Sequence, residues 1–110
     1  MERGKFVYKK ILSVNIKILE DGILWIVTID KERNNVSSNN GINKNVPPEV
    51  LNKWLNKFFK LVSKASSDIN NIADKENIAT IEVNETKGSY SLILGGKKLD
   101  ALNDLVDKII

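Results

Sequence analysis

The dipeptide Asp21-Gly22 sits inside SVNIKILEDGILWIVTID, residues 13 to 30, where apolar and polar residues alternate on both sides of it. No other feature restricts the fold as much. Gly tolerates positive φ, so Asp-Gly between alternating runs marks a two-residue hairpin turn. Closing the chain there pairs Ile18 with Trp25, Ile16 with Val27 and Val14 with Ile29 on one face. The other face pairs Lys17 with Ile26, Asn15 with Thr28 and Ser13 with Asp30. A slip of one residue would mix the two faces, so the register is specified by the pattern itself. The alternation runs back through Phe6, Tyr8, Lys10 and Leu12, longer than an ordinary strand, which predicts a bend or break near residues 9 to 13.

A second hairpin is expected in IATIEVNETKGSYSLILGG, residues 78 to 96. A turn at Lys87-Gly88 pairs Ile81 with Leu94, Val83 with Leu92 and Glu85 with Tyr90, leaving Glu82, Asn84, Ser91 and Ile93 on the opposite side.

Each hairpin leads to a helical period. Leu51, Trp54, Leu55, Phe58, Leu61, Val62, Ala65, Ile69 and Ile72 recur at 3.6-residue spacing after Pro48, a residue suited to a first helical turn. This helix could reach Ala73, with a break near Ser66-Ser67. In KKLDALNDLVDKII the apolar stripe is Leu99, Leu102, Leu105, Val106 and Ile109, and Asp100, Asp104 and Asp107 lie opposite. Between the first hairpin and the first helix, KERNNVSSNNGINKN has no apolar period and is expected as a mobile loop over residues 31 to 46.

Two one-sided hairpins and two one-sided helices satisfy each other when the helices cover one face of the sheet. The expected fold is α+β: a two-layer sandwich with a four-stranded, mostly antiparallel sheet and two helices on one face, in the order ββα–ββα. The 110 residues make one domain, 1 to 110, large enough for a single core.

Composition then excludes several classes of function. The chain has no cysteine and no histidine, so disulfides, thiolate metal sites and the usual general base are absent. Nothing implies a cofactor or a metal. No apolar run approaches the ~20 residues that cross a bilayer, and MERGKFVYKK lacks the apolar block of a signal peptide. A cytoplasmic location and no membrane partner are expected. Catalytic motifs are also missing. There is no GxSxG elbow and no GxxxxGK[ST] loop. Glu82, Glu85 and Lys87 suggest a metal-dependent nuclease, but the two glutamates have opposite strand parity and no third carboxylate joins them.

Charge points to a binding module instead. The net charge is +3, with +3 over residues 1 to 46, +2 over 47 to 73 and −2 over 74 to 110. On a helical wheel Lys53, Lys57, Lys60 and Lys64 form one stripe beside the apolar face. That stripe reads either as a solvated helix back whose long stems cover the core edge or as a ridge that tracks phosphates. Charge pairing with Asp100, Asp104 and Asp107 is a third reading. Lys97 and Lys98, in LGGKKLD, stand at a helix N-terminus suited to an anion, and Arg33 and Lys44 in the loop could join them.

The uncovered sheet face carries Leu19, Leu24, Ile26 and Ile93 among Lys17, Asn15, Thr28, Asn84 and Ser91. Aliphatics there suit a protein partner or a homodimer better than base stacking, because Trp25 and Tyr90 fall on the helix-covered face. The leading expectation is a non-enzymatic nucleic-acid-binding protein, single-stranded or weakly sequence-specific, acting through lysine–phosphate contacts as a dimer. The rival is a protein-interaction module, an adaptor or inhibitor, that uses the open sheet face.

Overall fold

A computed structural model describes residues 11–63 and 77–110 of the chain. In chain order the elements are β1 (Ile11–Glu20), β2 (Ile23–Asp30), β3 (Asn35–Ser38), β4 (Asn43–Asn45), α1 (Pro48–Val62), β5 (Ile78–Glu85), β6 (Gly88–Gly95) and α2 (Lys97–Asp107). The strands form one antiparallel sheet in the order β4-β3-β2-β1-β5-β6.

The first hairpin forms in the register its alternation predicts, with Ile18 opposite Trp25, Ile16 opposite Val27 and Val14 opposite Ile29. Asp21 at φ 51° and Gly22 at φ 79° are both left-handed, as the mirror-image turn that suits strand twist requires. The expected break in the long strand is a bulge. Pairing with β5 steps from Ile11–Glu85 to Ser13–Asn84, which leaves Leu12 as the extra residue. The bulge lets Ile11 and Val14, three apart in sequence, both enter the core.

Two expectations are corrected. The sheet has six strands, not four, and the element order is ββββαββα. Both added strands come from residues 31 to 46, expected as a loop. There Val36 and Val46 are the buried apolar residues, and two isolated valines carry no period. Hydrogen bonds from Ser38 N to Ile42 O (2.9 Å) and from Val46 N to Asn34 O (2.8 Å) bracket the β3–β4 hairpin. Across it the Asn35 amide donates to Asn43 Oδ1 (2.8 Å) and Asn45 Oδ1 (3.2 Å).

The second correction concerns the β5–β6 turn. It lies at Thr86-Lys87, so Ile81 opposes Leu92, Val83 opposes Tyr90 and Glu85 opposes Gly88. The expected register is therefore off by two residues. A two-residue slip keeps every side chain on its face, so hydrophobic patterning cannot distinguish the two registers. The conformational freedom of Gly88, at φ 142°, serves the first residue of β6 rather than the loop.

One face of the sheet supplies the core: Val14, Ile16, Ile18, Val27, Ile29, Val36, Ala79, Ile81, Val83 and Leu94 are buried there. The stripes of both helices join the same cluster through Leu51, Trp54, Leu55, Phe58, Val62, Leu99, Leu102, Leu105, Val106 and Ile109. At about 1.5–3 kcal/mol for each large aliphatic removed from water, this shared interior is what holds sheet and helices together. Helix α1 is capped at Ser63. The expected continuation through Ala65, Ile69 and Ile72 to Ala73, like Phe6, Tyr8 and Lys10, lies outside the described residues.

Candidate functional site

Lys53, Lys57 and Lys60 are all exposed on α1. At 1.5 Å per residue they are spaced about 6 Å and 4.5 Å along the helix axis. The ridge is seated by the residues beneath it. Trp54 and Phe58 stack with ring centroids 5.3 Å apart, and Phe58 meets Phe59 edge-on at 5.2 Å. The Trp54 indole N–H donates to the Leu105 carbonyl at 2.7 Å, a buried bond between the helices. Beside it, a cavity of about 180 Å³ is lined by Val50, Lys53, Trp54, Lys57, Leu105 and Lys108. Three lysines and no acidic residue therefore line one small, mostly apolar depression.

Lys108 was not among the expected residues. It comes from the C-terminal end of α2, and only helix–helix packing brings it to Lys53 and Lys57. Lys44 also reaches this end of α2, where its Nζ donates to the Ile110 carbonyl at 3.3 Å.

Other expected cations stand apart. Lys97 and Lys98 begin α2, about 16 Å along the axis from Lys108. Arg33 lies in the turn after β2 and pairs with Asp30 at 3.5 Å, so part of its charge is offset locally. Lys64 lies outside the described residues. Asp100, Asp104 and Asp107 are exposed on α2, and among the described residues they make no ion pair with Lys53, Lys57 or Lys60.

The open sheet face divides into two halves. Two rows are polar across the sheet: Asn43, Ser37, Thr28, Asn15, Glu82 and Ser91, then Asn45, Asn35, Asp30, Ser13, Asn84 and Ser89. Side chains link these rows laterally. Thr28 Oγ1 donates to Asn15 Oδ1 at 3.1 Å, the Asn15 amide donates to Glu82 Oε1 at 3.2 Å, and the Asn84 amide donates to Ser13 Oγ at 3.0 Å.

The next two rows hold the expected aliphatics, with Ile26, Lys17, Thr80 and Ile93 in one and Leu24, Leu19, Ile78 and Gly95 in the other. The structure thus collects Leu19, Leu24, Ile26 and Ile93 at one end of the sheet. Ile78, buried and apart from the main core cluster, joins them. Leu24 is 47% exposed and Ile23, at the hairpin tip, 72%.

A larger cavity, about 520 Å³, lies at this end and is lined by Ile18, Glu20, Asp21, Ile23, Leu24, Trp25, Asn39 and Asn40. The indole N–H of Trp25 is buried without a hydrogen-bond partner. Asn39 completes the β2 edge that β3 leaves uncovered: its Oδ1 accepts from Ile26 N at 3.0 Å and its Nδ2 donates to Leu24 O at 2.9 Å.

Glu82 and Glu85 stand on opposite faces of β5, and among the described residues no three His, Cys, Asp or Glu side chains gather as a metal site. Tyr90 shares the helix side with Val83 but remains 40% exposed, because β6 is an edge strand. Partial burial, then the nearby Glu85 carboxylate, push its phenol above the usual tyrosine range. Among the described residues no helix is long and apolar enough to cross a membrane. Comparison with protein-family models, curated proteins and solved structures finds no match.

Proposed function

We propose that this chain is a non-enzymatic module that binds the phosphate backbone of nucleic acid in an intracellular setting. The observation that carries the reading is the convergence of Lys53, Lys57 and Lys108 around the Trp54–Leu105 contact, with no carboxylate in the lining. Lys60 extends the row along α1. Lysines at intervals of about 5 Å on a rigid helix can lie along a phosphate backbone, which carries one charge per ~3.4 Å of duplex axis on each strand. Such contacts release counterions, hold any sequence and weaken steeply with salt.

Lys44 is close enough to the same end of α2 to contribute. Lys97, Lys98 and Arg33 would serve as outlying contacts, and Lys64 would lengthen the ridge. Base stacking on the open face is not part of the proposal, because its rows carry amides, hydroxyls and aliphatics rather than aromatic rings.

Fluorescence anisotropy with single- and double-stranded oligonucleotides tests this, at about 50 and 200 mM salt. Affinity should drop by orders of magnitude across that range. An absence of binding at the lower salt would remove the proposal.

The end of the open face favours a second reading, a protein-interaction module of the adaptor or inhibitor kind. Leu19, Leu24, Ile26 and Ile93 share two adjacent rows there, and Ile23 stands out at the hairpin tip. Replacing Ile26 with Lys should abolish capture of a protein partner while leaving oligonucleotide affinity intact.

A further inference from the structure

The two edges of the sheet are built differently. At one edge, β4 has three residues, carries Lys44 and ties its asparagines to Asn35, while Asn39 closes the uncovered stretch of β2. Short length, charge and side-chain caps are the devices that keep an edge from pairing with other strands. At the other edge, β6 runs for eight residues as GSYSLILG, without a charge, a proline or a break in its pairing with β5. Among the described residues nothing pairs with its outer side.

We propose that β6 pairs with β6 of a second copy of this chain, antiparallel and about a two-fold axis, joining two sheets into one. Two features select a second copy over an unrelated strand. A strand placed against itself across a two-fold brings its own charges near their duplicates, and β6 carries none from Gly88 to Gly95. Its hydrogen-bonding groups and side chains are also self-complementary.

The two-residue loop makes Glu85–Gly88 the hydrogen-bonded closing pair, so in alternation Ser89, Ser91, Ile93 and Gly95 turn their N–H and C=O groups outward. Centring the axis on Leu92 sets Ser91 opposite Ile93 and Ser89 opposite Gly95 of the second copy. All four outward residues are then used, giving about eight new backbone hydrogen bonds. On the helix side the same register places Leu92 against Leu92 and the half-exposed Tyr90 against Leu94 of the second copy. The open faces of the two copies become continuous, while the lysine ridge on α1 stays outside the contact. This association is independent of the nucleic-acid proposal.

Sedimentation or light scattering of the intact chain at micromolar concentration should give the mass of a dimer. Ser91→Pro removes an outward N–H and none of the bonds to β5, so it should yield a folded monomer, as should Ser91→Lys. Ile26→Lys, distant from β6 on the same sheet, should remain dimeric. Because the chain lacks cysteine, Leu92→Cys supplies a readout that does not depend on the charged or proline variants folding. In a non-hydrogen-bonded pair on the axis the Cα atoms lie about 4.5 Å apart, within disulfide range, and mild oxidation should link the copies covalently. Ser37→Cys on β3 should stay unlinked. A monomeric parent chain would overturn the proposal, and so would a dimer that persists in both Ser91 variants or that Ser37→Cys crosslinks as well as Leu92→Cys.

Discussion

Trp54 donates its indole N–H to the carbonyl of Leu105 across 2.7 Å of buried space. Leu105 belongs to the last turn of α2, where carbonyls lack helical partners, and among the described residues it otherwise accepts a 3.2 Å bond from Lys108 N. This bond ties α2 to α1 within their shared apolar packing, beside the cavity that Lys53, Lys57 and Lys108 line. Trp54→Phe keeps an aromatic ring in the stack with Phe58 but removes the donor. It should lower stability by about 1–3 kcal/mol, from the lost hydrogen bond and the smaller ring. Urea denaturation measures this, and an unchanged midpoint would show that the bond contributes nothing.

Replacing Lys53, Lys57 and Lys60 together with Gln separates binding from folding. All three are exposed, and exposed charges of this kind contribute little to stability. The melting temperature should therefore stay within about 2–4 °C, on the scale of about 0.5 kcal/mol for surface substitutions. Oligonucleotide affinity should fall, and the slope of log K against log salt should flatten by about 2 to 3, close to one unit per lost phosphate contact. Affinity that survives the triple change would move the contact surface elsewhere.

Asn39 acts as a length of backbone, offering an acceptor to Ile26 N and a donor to Leu24 O. Asn39→Ala should cost about 1 kcal/mol, since both bonds are exposed to competing water. Faster amide hydrogen exchange at Ile26 is the more direct observation. Asn39→Asp retains the acceptor and loses the donor, so it should restore protection at Ile26 without full stability.

Tyr90 gives a pH dependence of definite sign. Its phenol is raised above the ordinary value of 10.0, by partial burial first and by Glu85 second. The folded chain therefore holds that proton more tightly than the unfolded chain. Between the two pKa values the unfolded state binds fewer protons, and stability must fall as pH rises. Below the unfolded value the group has no effect. Tyr90→Phe should remove this component, so the stability difference between parent and variant should change only above about pH 10. A difference that is flat through that range would contradict the assignment.

Much of the fold was legible because it is written in local alternation. Val14, Ile16 and Ile18 opposite Ile29, Val27 and Trp25 define one face and one register without reference to anything distant. The apolar stripes from Leu51 to Val62 and from Leu99 to Ile109 were equally plain. β3 and β4 were not, because NVSS and NKN hold a single valine between them. The β5–β6 register escaped because its two candidates bury the same side chains. At the candidate site, Lys53, Lys57 and Lys60 could be read from helical spacing, but Lys108 could not, since α2 packs beside α1 only in the folded chain.

Periods of 2.0 and 3.6 residues, which depend on backbone geometry alone, already assign in the sequence the face of each strand and helix that leaves water. What those faces meet is set by long-range packing. It placed β1 between β2 and β5, added the polar β3–β4 hairpin along β2 and left the uncharged β6 at the far edge. It also gathered lysines from two helices around Trp54. These outcomes depend on contacts between residues far apart in the chain, where several pairings satisfy the same hydrophobic pattern. Backbone hydrogen bonding and close packing then select among them.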